Sequence, residues 1–263
     1  MSEQLAEANR QLQNAQTEIV RGKTMITVGE MAAGAAHEMN NPLAVISGRS
    51  QLLASQLTDP KLKQAAKTIS DQAHIITDII TELMAFAKPV PAKVAECELP
   101  DIVGRALHEA KSITDPADRN IEVTMTDIPP VMVDAEQVTA ALTEVVSNAI
   151  QATEEKGGEV TIHAAFDAYS GRVALTVADN GCGMDEETLK RAFDPFFSSK
   201  PAGRRRGMGL AKALRWIESS GGSMRLESRL GKGTRGSILL PAVPMGAGAV
   251  KATPVAGQVR KAQ

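Results

Sequence analysis

His37-Glu38-Met39-Asn40-Asn41-Pro42-Leu43 sets a histidine and an acid side by side, shortly ahead of a proline, in a stretch that reads as a long amphipathic helix. Met25, Val28, Ala32, Ala35, Met39, Leu43, Ile46, Leu53 and Leu57 line one face of that helix. His37 is two positions from both Ala35 and Met39, and two residues turn a helix by about 200°. The spacing therefore predicts that its ring points away from the apolar stripe. Asn41 lies one turn further on, on the same side. A proline within a helix forfeits a backbone hydrogen bond and costs roughly 3 kcal/mol. Pro42 releases the Glu38 carbonyl and loosens the turn beside His37. A purely structural helix has little reason to accept that cost; a site that bends towards a bulky partner does.

Outward from this stretch, Thr58-Asp59-Pro60 breaks the helix, and Pro60 suits the first turn of the next one. Leu62, Ala66, Ile69, Ala73, Ile76, Ile80 and Leu83 then alternate steps of four and three, which predicts a second long amphipathic helix. A hairpin of two such helices leaves half its stripe exposed, and pairing two hairpins into a four-helix bundle covers it. A homodimer is the physical expectation. Upstream, Leu5, Leu12, Ile19 and Ile26 recur every seven residues, with small residues three positions on, as in a coiled-coil seam. The domain limits expected are a coiled-coil helix over 1–24, the hairpin over 25–88 and a stiff linker at 89–92 around Pro89 and Pro91.

Beyond the linker the periodicity shifts. Strands are expected at 93–99, 121–126, 129–133, 160–165, 172–178, 223–227 and 237–240, with helices at 100–113, 135–155 and 209–219. Such a mixture predicts an α/β sandwich over 93–241, one sheet covered on one face. Residues 242–263 are rich in Ala, Gly, Val and Pro without periodicity and are expected to be a disordered tail.

Composition removes several function classes. A net charge of −2 offers no general attraction to nucleic acid or anionic membranes. Cys97 and Cys182 fit neither a disulfide framework nor a zinc spacing. No run of eighteen apolar residues occurs, and no Gly-x-x-x-x-Gly-Lys-Ser/Thr loop is present, which excludes the ordinary P-loop folds as far as motifs can. The expected compartment is the cytoplasm, either for the chain as given or for the cytoplasmic part of a membrane-bound sensor.

The chemistry suits phosphoryl transfer. Neutral imidazole is a nucleophile near neutral pH, and Glu38 can hold one ring nitrogen of His37 while the other attacks. Asp179-Asn180-Gly181-Cys182-Gly183-Met184 follows a strand, and Gly207-Met208-Gly209-Leu210 opens a helix whose amides offer a phosphate site. Lys200 and Arg204-Arg205-Arg206 either add positive charge there or form a solvated basic loop; the sequence weighs the two equally.

His37 to Leu43 closely resembles the H-box of bacterial two-component sensor histidine kinases, and the later boxes of that family follow in order. Glu144 and Asn148 resemble the N-box, Asp179 to Met184 the first glycine box, Phe193-Asp194-Pro195-Phe196-Phe197 the F-box bordering a lid at 198–206, Gly207 to Leu210 the second glycine box, and Gly231-Lys232-Gly233-Thr234 the last. The resemblance covers residues 25–241. It implies an α+β chain in which an N-terminal antiparallel helical hairpin, forming a dimeric four-helix bundle, precedes a GHKL-type ATP-binding α/β sandwich.

It further implies ATP as substrate and Mg²⁺ held at Asn148 with Glu144 beside it. Asp179, Gly181, Gly183 and Thr234 would lie around the adenine, with Lys200, Gly207, Gly209 and Leu210 towards the phosphates. His37 would be the phospho-acceptor, Glu38 its partner, and Asn41 the residue that orients water for dephosphorylating a response-regulator receiver domain. That regulator would dock around Arg49 and Leu52, and a sensor would lie upstream. The sequence departs from the family at Gln151, where lysine is frequent, at Ala211, where glycine is, and at Gly236, where an aromatic is. The alternatives are a GHKL ATPase in which Glu144 activates water, and a nucleotide-binding dimeric scaffold.

Overall fold

The computed structural model describes residues 38–87, 90–115, 119–153, 157–199 and 207–243. His37, Lys200, the arginine triplet, the expected coiled coil and all but the first two residues of the expected tail lie outside them. The chain divides into two units, Met1–Val90 and Pro91–Gln263.

In the first unit, helix α1 runs over 38–56 and α2 over Pro60–Ala87. The break falls where the sequence placed it. Asp59 Oδ1 accepts the Lys61 N–H at 2.8 Å, and Pro60 begins α2, where a missing N–H costs nothing. The helices meet through small residues: Ser47, Ser50, Ala66, Ser70 and Ala73 are buried. Ser47 Oγ lies 3.0 Å from both Ser70 Oγ and His74 Nε2, and Gln51 Nε2 donates to Ser70 Oγ at 3.2 Å. The larger apolar side chains Met39, Ile46, Leu53, Leu62, Ile69 and Ile76 stay 42% to 53% exposed, in two rows with a seven-residue repeat. Half of the apolar stripe thus closes the hairpin and half faces outward.

The second unit is built on a five-stranded sheet ordered β2-β4-β5-β7-β6: β2 Asn120–Thr126, β4 Glu159–Asp167, β5 Arg172–Asp179, β6 Ser223–Ser228 and β7 Thr234–Pro241. Only β2 and β4 are parallel. A separate pair joins β1 Ala95–Cys97 to β3 Val131–Val133. Helices α3 Leu99–Ile113, α4 Ala135–Ala152 and α6 Gly209–Ser219 share a core with one sheet face, where Val160, Ile162, Val173, Leu175, Ile238 and Leu240 are buried. Alternate strand residues supply that face, as the period of two requires. Among the described residues no helix is long and apolar enough to cross a membrane.

Several boundaries differ from expectation for local reasons. The strand expected at 93–99 shrinks to Ala95–Cys97, because the Lys93 N–H is taken by Asp134 Oδ2 at 2.7 Å and the Glu98 carbonyl already accepts the first helical bond of α3 from Ile102 N. Helix α4 stops at Ala152, where Thr153 turns extended and the Ala152 carbonyl accepts the Cys182 N–H at 3.0 Å. β7 begins at Thr234 rather than Ser237, so the last glycine segment runs straight into a strand. A short helix α5, Glu186–Arg191, was not anticipated; Asp185 caps it through the Thr188 N–H.

Candidate nucleotide site

Asp179 is the last residue of β5, and its Oδ1 accepts the Gly181 N–H at 2.9 Å and the Thr234 N–H at 3.2 Å. One carboxylate oxygen therefore fastens the loop after β5 to the start of β7. Asn180 braces the loop from outside, accepting from Glu159 N at 2.8 Å and donating to Gly157 O at 2.9 Å. The glycines are required by close approach as well as by conformation. Gly183 and Gly233 have φ of 64° and 84°, and a Cβ would overlap the Arg229 carbonyl at the first and the Asp179 carbonyl at the second. The 229–233 turn closes onto the 181–183 loop, with Gly231 N donating to Cys182 O at 2.7 Å.

On the helical side, Glu144 and Asn148 lie one turn apart on α4, both half-buried. The Glu144 carboxylate lies against Gly209, the first residue of α6, so closely that a Cβ there would collide with it. The first turn of α6, with Gly209 and Leu210, therefore sits beside the N-box acid. An amide oxygen and a carboxylate are hard donors that suit Mg²⁺. Among the described residues no group of three or more His, Cys, Asp or Glu gathers as a metal site. Such a sparse set fits a cation whose remaining ligands are phosphate and water.

The phenylalanine segment packs in two directions. Phe193 joins the core, and Arg191 lies 4.2 Å over the Phe197 ring. Gly207 rests against the Phe197 carbonyl. Gly236 is buried, with Leu226 and Val145 where a side chain would begin.

Asp134 organises the far end of α4. It accepts from Gln137 N, Lys93 N and Glu136 N. Burial alone would raise its carboxyl, but these three donors outweigh it and hold it below the usual 3.8.

The second unit thus brings together Asp179, Gly181, Gly183 and Thr234 at one end of the sheet, and Glu144 with Gly209 and Leu210 at the α4–α6 contact. In the first unit Glu38 and Asn41 are exposed on α1. Sequence reasoning missed Ser228, which bonds Met184 N at 2.8 Å and lies 2.9 Å from both Gly233 O and Thr234 Oγ1. Nothing in its neighbourhood marks it; only strand pairing reveals it.

Comparison with known proteins accords with this geometry. Residues 27–90 match the His Kinase A (phospho-acceptor) domain, and residues 133–244 match the histidine kinase-, DNA gyrase B-, and HSP90-like ATPase family. The signal transduction histidine-protein kinase AtoS of Escherichia coli (strain K12) is 30% identical over 232 residues, 88% of this chain and 38% of AtoS. Sensor histidine kinase ZraS of Klebsiella oxytoca is 31% identical over 238 residues, 89% of this chain and 50% of ZraS. The chain spans half or less of the length of these relatives. The crystal structure of full-length ShkA in complex with AMPPNP shares the fold, with a TM-score of 0.63 at 21% identity over 82% of this chain and 47% of that one. With a phospho-acceptor domain followed by an ATPase domain of this type, the chain belongs to the sensor histidine kinases of two-component systems and carries their catalytic core.

Proposed function

We propose that the chain moves the γ-phosphoryl group of ATP to His37 and then to an aspartate on a response-regulator receiver domain. The observation that carries the reading is the occurrence, in one chain, of a phospho-acceptor domain ahead of an ATPase domain.

In this reading Asp179 accepts from the adenine amino group, with Gly181, Gly183 and Thr234 around the ring. Gly207, Gly209 and Leu210 offer backbone N–H groups at the start of α6 to the phosphates, and Lys200 adds a cation. Mg²⁺, when bound, would be held at Asn148 with Glu144 beside it and would neutralise phosphate charge. The free nitrogen of His37 attacks phosphorus in line. The N–P bond forms as the bond to the bridging oxygen breaks, that electron pair leaves with ADP, and the proton on the other ring nitrogen passes to Glu38. The reactive N–P bond then supplies the regulator.

Val45 and Leu52 are exposed on α1 on either side of Arg49, which supports docking of the regulator below His37. Asn41 would orient water for dephosphorylating the regulator, with the phosphoryl group released as inorganic phosphate. The exposed rows on α1 and α2 support a homodimer. The working divisions are a signalling coiled coil over 1–24, the phospho-acceptor hairpin over 25–88, a linker at 89–92 across which the ATP domain swings, the ATP domain over 93–241 and a tail over 242–263. An upstream sensor and a cytoplasmic location complete the proposal.

The test is incubation with γ-labelled ATP and magnesium. Label should appear on the protein, labile in acid and stable in alkali, and His37→Gln should abolish it. Release of free phosphate with no labelled protein at any time point would refute the kinase reading in favour of an ATPase.

A further inference from the structure

Register places Val160, Asp179, Thr234 and Ser228 in one row across four strands at the end of the sheet. Directly paired residues point to the same face, so Asp179, Thr234 and Ser228 share the side that carries the helices. Three groups surround the Ser228 hydroxyl. Met184 N is 2.8 Å away and can only donate; the Gly233 carbonyl is 2.9 Å away and can only accept; Thr234 Oγ1, also at 2.9 Å, can do either. A serine hydroxyl has one proton and two lone pairs. All three bonds form together in a single arrangement: Ser228 donates to Gly233 O and accepts from both Met184 N and Thr234 Oγ1. The Thr234 proton is then committed to Ser228, and Thr234 turns only lone pairs to its surroundings.

We propose that Ser228 sets the base preference of the nucleotide pocket by holding the Thr234 hydroxyl as an acceptor beside the acceptor Asp179. A pocket edge with two acceptors, used directly or through water, takes a purine with an amine on C6, adenine. It rejects one with a carbonyl oxygen on C6, guanine, because that oxygen meets no donor. Ser228 acts through Thr234 and is a positioning residue. The proposal rests on the reading of this unit as an ATP site.

The experiment titrates the full chain with magnesium and either ATP or GTP, for the parent, Ser228→Ala and Ser228→Thr. In Ser228→Ala the Thr234 hydroxyl is free to turn and donate, so the ratio of ATP to GTP affinity should fall by about tenfold, the worth of one net hydrogen bond. Ser228→Thr keeps the hydroxyl and should restore the ratio. A merely structural serine would weaken both nucleotides in proportion, and an unmoved ratio overturns the proposal. Should Ser228→Ala fail to fold, Ser228→Cys keeps the volume while offering only a weak acceptor; its ratio must also fall, and a constant ratio is again fatal. A parent that takes up neither nucleotide overturns the ATP reading itself. A parent that prefers ATP with a ratio indifferent to residue 228 overturns this proposal alone.

Discussion

Alanine introduced at both Leu53 and Ile69 should convert a stable dimer into a weak one. Both side chains are about half exposed on the hairpin, one in each outward row. Complete burial of a leucine or isoleucine stabilises by about 1.5–3 kcal/mol, so covering the exposed half contributes about 1 kcal/mol. A symmetric pair of hairpins counts each substitution twice. Four side chains are lost per dimer, about 4 kcal/mol in all, and the dissociation constant should rise by roughly a thousandfold. Alanine is the strongest helix former, so each hairpin should keep its helices. Sedimentation equilibrium over a concentration series measures the constant, and circular dichroism checks that helix content is retained. A doubly substituted chain that dimerises as tightly as the parent would show that these rows are not the interface.

Other outcomes follow from the second unit. Gly233→Ala forces an L-residue into a left-handed conformation at a cost of about 1–2 kcal/mol and drives a methyl group into the Asp179 carbonyl. ATP affinity should drop more than about tenfold, and unchanged binding by titration would refute the close approach. Asn148→Ala should weaken ATP binding strongly in magnesium and little in a chelator; equal losses in both would remove Asn148 from the cation. Asp134 has a carboxyl held below 3.8, so its contribution to stability is present above that value and is lost as pH falls through the lowered one. Asp134→Asn should therefore melt below the parent at neutral pH, and the gap should close in acid. A gap that stays constant in melts from about pH 7 to about pH 2 would contradict the assigned role.

The parts legible in sequence were those fixed by short-range chemistry. Asp59-Pro60 stated the helix break, and the glycine segments fell where backbones crowd. The hairpin stripe was legible as a period but not in its division: Ala66, Ala73 and Ile80 turn inward while Leu62, Ile69 and Ile76 turn outward. That split depends on how two helices rotate against each other, a tertiary property. His74 meets Ser47 across the hairpin for the same reason. Ser228 was invisible because its partners are Met184, 44 residues away, and Thr234, across a turn. The start of β7 was misplaced because Gly233 and Gly236 weaken strand propensity, while pairing with β5 and β6 on both sides overrides it.

Helix α4 has 18 residues, about 27 Å of rigid rod. One end is bolted through Asp134 to Lys93, and the other receives the loop of Gly181 to Gly183 through the Ala152 carbonyl. Lys93, near the start of the second unit, and the loop of Gly181 to Gly183 are therefore held at two ends of one strut. Slack added or removed ahead of Lys93 changes the reach of the unit without altering the shape of its binding loops. Tether length is thus a trait that selection can tune separately from affinity.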